Sequence, residues 1–157
     1  MEHRIETIDK IVLVGKYLEM SIAENKTATL WGSFMPEAIK IKNRVGADYF
    51  SVEEYDEDYF KEFVPTKNFK KWATVCVSIA EEVPQEFATL IVPKGKYAVF
   101  TYKGKSSEAF KAYQYIFGEW LSSTKNVLDH RPHFAIMGAK YKNDDPTSEE
   151  EIWIPIQ

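Results

Sequence analysis

The sequence predicts an α+β fold: two βαββ units in tandem, their strands in one antiparallel sheet, two helices packed on it, and a central groove where the halves meet. Three observations predict it. The order strand–helix–strand–strand can be read twice along 157 residues. Each half holds one segment whose apolar residues fall on a single helical face. The final strand alternates Ile152, Ile154 and Ile156 with Glu151, Trp153 and Pro155, so only one of its faces is aliphatic.

Residues 1–9 are polar and begin an edge strand, and Ile11–Leu18 is β-branched and strand-like. Thr27 offers an N-cap to a helix bearing Leu30, Trp31, Phe34, Met35, Ala38 and Ile39 on one face. Pro36 should kink it or mark a restart. Strands are predicted at Asp48–Tyr55 and Lys71–Ile79, with the acidic stretch Asp56–Phe63 as a surface loop or short helix. Pro84 and Pro93-Lys94-Gly95 punctuate the middle. The pattern then restarts with a strand at Lys96–Tyr102 and a helix capped by Ser107 that carries Phe110, Tyr113, Phe117, Trp120 and Leu121.

Two last strands close the chain, joined by the polar loop Lys142–Ser148. In the first of them Phe134 and Ile136 share one face, Ala135 and Met137 the other. Tyr17 and Tyr97, 80 residues apart, and Trp72 and Trp153, 81 apart, are landmarks of the two halves. The reading is one domain over 1–157, with pseudo-repeats at about 8–80 and 95–157.

Composition narrows the partner. Aromatic residues make up 15% of the chain, and a ligand cavity is one common reason for that excess. A net charge of −4 with no dense Lys/Arg cluster argues against nucleic acid. The one cysteine, Cys76, sits in an apolar run and fits a reducing compartment. No signal-peptide pattern and no bilayer-length apolar run occurs, so a cytoplasmic protein without a membrane partner is expected. His3, His130 and His133 lack metal-ligand spacing, and no phosphate loop or nucleophile motif is present, so neither metal nor cofactor is expected.

Pro93–Phe100, the Trp120-Leu121 helix end, Arg131-Pro132-His133-Phe134 and Glu149–Ile156 together resemble the GyrI-like small-molecule-binding domain, also found as the effector-binding domain of AraC-type and MerR-type regulators and in integron cassette proteins. Leu30–Phe34 fits as well, and the likeness runs from about residue 8 to the end. With no helix-turn-helix ahead of it, the chain is similar to the stand-alone members. The resemblance implies a duplicated βαββ fold whose central cavity binds lipophilic, often cationic, aromatic compounds. Some similar stand-alone proteins hydrolyse cyclopropane-bearing DNA-alkylating natural products. One position departs. Where the family usually has a cavity glutamate after the Phe of the penultimate strand, this chain has Ala135. That leaves either a pocket for a neutral ligand or a site disabled by replacement of its acid, and the clean gap in the motif favours the second.

The candidate site residues follow from faces and from the resemblance. Trp153 should stack on a ligand, with Met137 as an adaptable wall. Tyr49 and Ser51 occupy the matching strand of the first half. Tyr97 and Phe100 sit on opposite faces of one strand, so only one can line the cavity. Trp31 and Trp120 lie on apolar helix faces, where core packing is the commoner role. Glu151 is the carboxylate assigned to the cavity side, against a solvated cluster Glu149–Glu151. Catalytic roles would fall to the Ala135 position, Glu151 and Tyr49.

Three functions are weighed. The first is a stand-alone protein that sequesters aromatic xenobiotics and so protects the cell. The second is a hydrolase that opens the cyclopropane of alkylating natural products, impaired here by Ala135. The third is an acidic interaction module that inhibits a topoisomerase, suggested by the acidic run at Glu53–Glu62.

Overall fold

A computed structural model describes residues 1–157. Eight strands form one antiparallel sheet: β1 (His3–Ile8), β2 (Ile11–Met20), β3 (Arg44–Glu54), β4 (Phe69–Val77), β5 (Ala88–Val92), β6 (Gly95–Lys103), β7 (His133–Met137) and β8 (Glu149–Ile156). Their order is β1-β6-β8-β7-β3-β4-β2-β5. Exchanging β1–β4 for β5–β8 gives the same order read backwards, so the sheet has a pseudo-twofold between β3 and β7. The α+β architecture is the predicted one. The predicted unit gains a strand, because each half begins with one that pairs into the other half: β1 with β6, and β5 with β2.

β5 escaped the sequence because its five residues lie between Pro84 and Pro93, where punctuation masks so short a run. Two-residue links, Asp9-Lys10 and Pro93-Lys94, join strands that stand far apart in the sheet order. Such short links force the sheet to curl until its ends approach. The concave interior then fills with one core cluster, including Leu13, Trp72, Leu90, Tyr97, Phe134 and Trp153. Close approach between strands shapes this curl at Gly15, where an added Cβ would stand 1.9 Å from the Ala73 carbonyl oxygen.

The convex face carries the helices. Helix α1 (Thr27–Phe34) continues as a 3-10 turn over Met35–Lys40. Pro36 lacks the N–H that an α-helical bond would need, so the tighter turn follows at the predicted place. Leu30, Phe34 and Ala38, four apart, are buried on β2 and β4 with Val14, Ala73 and Val75. In the second half, helix α2 (Phe110–Gln114) passes through a π-helical stretch, Tyr115–Trp120, into α3 (Leu121–Ser123). Ala112, Ile116 and Trp120 are buried on β6 and β8 against Ala98, Phe100, Ile152 and Ile154.

The helix starts differ from expectation. Thr27 lies inside α1, and its N–H donates to Asn25 Oδ1 at 2.9 Å. Ser107 donates to Asp144 Oδ1 at 2.7 Å, tying the start of the second helical segment to the loop before β8. The landmark residues are not in register either. Tyr17 is the direct cross-strand partner of Trp72, whereas Tyr97 pairs with Pro155 and Trp153 with Val99. Both pairs stay on the concave face, with ring centroids 4.6 and 5.8 Å apart.

Candidate functional site

Each helix covers its own half of the convex face, and the middle strands between them are covered by side chains, with Ser51, Glu53, His133 and Ala135 all buried. α1 lies over β2 and β4, while α2 and the π-helical stretch lie over β6 and β8. The central strands β3 and β7 therefore form the floor of a groove between them. Register fixes what the floor presents: Tyr49 opposite Met137, Ser51 opposite Ala135, and Glu53 opposite His133. Directly opposed residues share a face, so all six point to the helix side.

The two ends of the floor differ. At one end the Tyr49 ring meets the edge of Trp31 at 6.0 Å, and the Arg44 guanidinium lies 4.6 Å over it. At the other end the floor is acidic. Glu53, only 7% exposed, takes an ion pair from Lys71 Nζ at 3.2 Å. The carboxylate of β8 on this face, Glu150, stands instead toward the Tyr49–Met137 end, opposite Tyr102 of β6 and next to Glu151, the partner of Ile136. Tyr55, Tyr113 and His133 close around the Glu53 end. The space they leave among themselves and Glu53 holds no water-sized sphere.

An aromatic lid fills that end. Residues after β3 turn through a short 3-10 segment, Tyr59–Lys61. They bring Phe60 onto His133 (5.5 Å, planes 19° apart) and onto Phe117 (5.1 Å, 25°). Tyr55 packs edge-on to His133 at 4.9 Å and against Tyr59 at 4.4 Å. Phe60 remains 42% exposed, so the lid is a thin one with its outer surface in water.

Burial dominates the electrostatics. It raises the Glu53 carboxyl, against the pull of the Lys71 ammonium. It pushes Glu150 up to about 7, where Lys71 pulls down and the Glu53 charge pushes up. His133 is held neutral, its value lowered to about 3 by burial and then by Arg131 and His130. Burial also lifts the phenols of Tyr55 and Tyr113 well above their usual range, with the Glu53 charge adding to each. A buried carboxylate paired to one ammonium thus sits in an aromatic enclosure, with a second raised carboxyl, Glu150, on the same face of the sheet, which suits a ligand bringing positive charge and flat apolar surface.

The residues singled out from the sequence divide between the faces. Tyr49, Ser51, Ala135 and Met137 lie together on the groove floor, and Trp31 edges it. Trp153 and Glu151 do not join them. Ala135 pairs with Ile152, so its neighbours Trp153 and Glu151 point to the concave side. There Trp153 is 6% exposed and stacks on Phe134 at 5.3 Å. Glu151 binds Arg4 Nη2 at 2.9 Å and accepts a hydrogen bond from the Trp153 indole at 3.3 Å. The picture of an indole beside the missing acid is corrected by this register: strand side chains alternate, and the two belong to opposite faces.

The remaining candidates are core. Tyr97 is buried on the concave side, donates to the Pro132 carbonyl at 2.7 Å, and has its phenol raised to about 12 by burial. Phe100 lies beneath α2 with Trp120, ring centroids 4.9 Å apart. Neither they nor Trp120 reach the floor.

Sequence reasoning missed Glu53, Lys71, Glu150, Tyr55, Phe60, Tyr113 and His133 as a group. The available signal was period two: Glu53 shares a face with Tyr49 and Ser51, which had been singled out. A larger recess of about 490 Å³ opens beside Ile11, Val12, Cys76, Val77 and Ile91, but it holds Lys10 and no carboxylate, so the acidic groove is the better cation site. No cluster of three or more His, Cys, Asp or Glu side chains could hold a metal ion. No helix is long and apolar enough to cross a membrane.

A curled antiparallel sheet with two helices flanking an acid-bearing aromatic groove defines a small-molecule-binding class of domain. The chain belongs to the GyrI-like small molecule binding domain family, which it matches over residues 1–157. Its fold is similar to that of SAV2435, solved bound to tetraphenylphosphonium, with TM-score 0.75 and 14% identity over 100% of this chain and 94% of that one. It is also similar to an integron cassette protein from the mobile metagenome of Vibrio cholerae (0.71, 17%, over 99% and 95%). A hydrolase from Listeria innocua shares the fold as well (0.63, 10%, over 99% and 92%). No curated protein sequence matches the chain.

Proposed function

We propose that the groove holds a lipophilic aromatic cation, and that the chain sequesters such compounds as a binding protein. The observation that carries this is the buried Glu53 carboxyl, 3.2 Å from Lys71 inside an aromatic enclosure, with the Glu150 carboxyl on the same face of the sheet. A cation entering there gains charge attraction in a poorly solvated place. Each ring it faces adds about 0.5–2 kcal/mol of cation–π contact, and burial of its apolar surface adds more. Ala135 removes the acid expected on the floor, and the acids that remain arrive from β3 and β8 instead. The tetraphenylphosphonium carried by SAV2435 is a probe of the right chemistry.

The test is equilibrium titration of the chain with tetraphenylphosphonium, followed by tryptophan emission. Saturable binding at one site, weakened about tenfold or more by Glu53→Gln or Glu150→Gln, supports the reading. Affinity that ignores both substitutions counts against it.

Hydrolysis is the second reading, and Glu150 favours it. A carboxylate held near 7 is half ionised at neutral pH, the condition in which a general base works best and contributes about 10²–10⁴-fold. The test is mass spectrometry of a cyclopropane-bearing alkylator incubated with the chain and with Ala135→Glu. Ring-opened product from either supports catalysis. An intact compound in both ends this reading and leaves sequestration.

A further inference from the structure

The sheet ends in two unlike edges. β1 and β5 are equivalent under the pseudo-twofold, and each pairs with one neighbour only, β6 and β2 respectively. β1 is guarded by charge: His3, Arg4 and Glu6 stand along it, and Arg4 reaches Glu6 at 3.2 Å and Glu151 at 2.9 Å. Such side chains keep a further strand from adding to an edge. β5 is Ala88-Thr89-Leu90-Ile91-Val92, with no charge and no proline. Its register with β2 puts Ile91 beside Val12 and Thr89 beside Val14, on the convex face. Ile91 is 52% exposed there, on the recess of about 490 Å³ that Val12, Ile79 and Thr89 also line. Charge resumes only beyond the strand ends, and with opposite signs: Glu86 four residues before Leu90, Lys94 four residues after it, both exposed. Lys10, which precedes the Ile11–Val92 pair, stands at the Lys94 end.

We propose that β5 is a docking edge for a second copy of this chain, paired antiparallel with its own equivalent about a twofold axis at Leu90. The reason is the symmetry of its charges. Self-pairing in this sense sets each residue opposite the one equally far beyond the centre, so Thr89 meets Ile91 of the second copy and Glu86 approaches Lys94 of the second copy. Opposite signs then meet at both ends of the ladder. Lys40 already lies 3.4 Å from Glu86, but both side chains are partly exposed, so the carboxylate stays open to a second cation. The exposed Ile91 of each copy is covered by the other's β5, the backbone groups along the edge gain partners, and the two sheets become continuous. Each copy has one such edge and a charged one opposite it, so the assembly closes at two. The middle strands β3 and β7 take no part, and the dimer stands or falls independently of what the groove holds.

Sedimentation velocity of the full chain, from micromolar to near-millimolar concentration, reads the assembly directly. The wild type should pass from one chain mass to two as concentration rises, reverse on dilution, and form nothing larger. Ile91→Lys, at a half-exposed position, should stay at one chain mass throughout, with an unchanged melt by circular dichroism. Lys94→Glu should weaken association about tenfold or more, Glu86→Lys likewise, and the two together should restore it, a recovery that this register produces. Should Ile91→Lys lose its melt, the two charge swaps, both outside the strand, decide the matter by the same recovery. A wild type that stays at one chain mass at every concentration overturns the proposal. So does a dimer that a folded Ile91→Lys leaves intact, association that runs on to larger species, or a double swap that fails to recover.

Discussion

Glu53 and Lys71 face each other across the β3–β4 ladder, directly opposed in register and 3.2 Å apart, each side chain about nine tenths covered. A pair so placed does more for the shape of the groove than for net stability, because both charges lose their hydration to be there. Removing one partner is another matter. Lys71→Met should destabilise the chain by about 3–5 kcal/mol, since it strands the Glu53 carboxylate, and Lys71→Met combined with Glu53→Leu should recover most of that loss. Urea unfolding of both variants checks this.

Glu150 and His133 give opposite pH dependences, and the signs differ for a stated reason. The carboxyl of Glu150 is raised to about 7 in the fold, so its contribution to stability is complete below its unfolded value of 4.5 and is lost as pH rises through 7. His133 is depressed to about 3 from 6.5, so its contribution holds above 6.5 and is lost as pH falls toward 3. Glu150→Gln should therefore gain on the wild type as pH rises from about 4.5 to 7, by up to roughly 3 kcal/mol. Thermal melts of the two proteins across that range, compared as a difference, remove the shared His133 slope.

Phe60 covers the acidic end of the groove by stacking on His133 and Phe117 while keeping one side in water. Its ring occupies ground that a flat ligand would contest. Phe60→Ala should raise the association rate of tetraphenylphosphonium severalfold, with a stability loss of only about 1 kcal/mol because the ring is half exposed. Stopped-flow quenching of tryptophan emission gives the rate.

Two glycines should respond in opposite directions. Gly15→Ala places a methyl 1.9 Å from a carbonyl oxygen of the neighbouring strand, where backbone must move, and should cost several kcal/mol or prevent folding. Gly32 sits within α1 with open space around its Cβ position. Gly32→Ala should stabilise by about 0.5–1 kcal/mol through helix propensity and the unfolded chain. Denaturation midpoints of the two variants decide it.

The elements other than β5, the change of helix type at Pro36 and the aliphatic face of β8 were legible because each is a local pattern: apolar periodicity for the elements, a missing N–H for the change at Pro36. The partition of the groove was not local. Adjacent Glu150 and Glu151 look alike in sequence, and only pairing with β7 and β6 sends one to the groove and the other to Arg4. The same alternation carried Trp153 into the concave core while Ala135 stayed on the floor. The acidic stretch after β3 read as a solvated loop because its charges are what composition shows. Its function as a lid resides in Phe60 and in contacts with His133, 73 residues later in the chain. Ring stacking at that separation leaves no periodic trace.

The central claim concerns position: the ligand lies on the helix-bearing face, between α1 and α2, with its charge beside Glu53. A crystal structure of the chain with tetraphenylphosphonium measures that directly. It should show the phosphonium within reach of that carboxylate, its rings against Tyr55, Tyr113 and Trp31, and Phe60 displaced from His133. Density for the ligand on the concave side next to Trp153, with Phe60 still seated on His133, would contradict it.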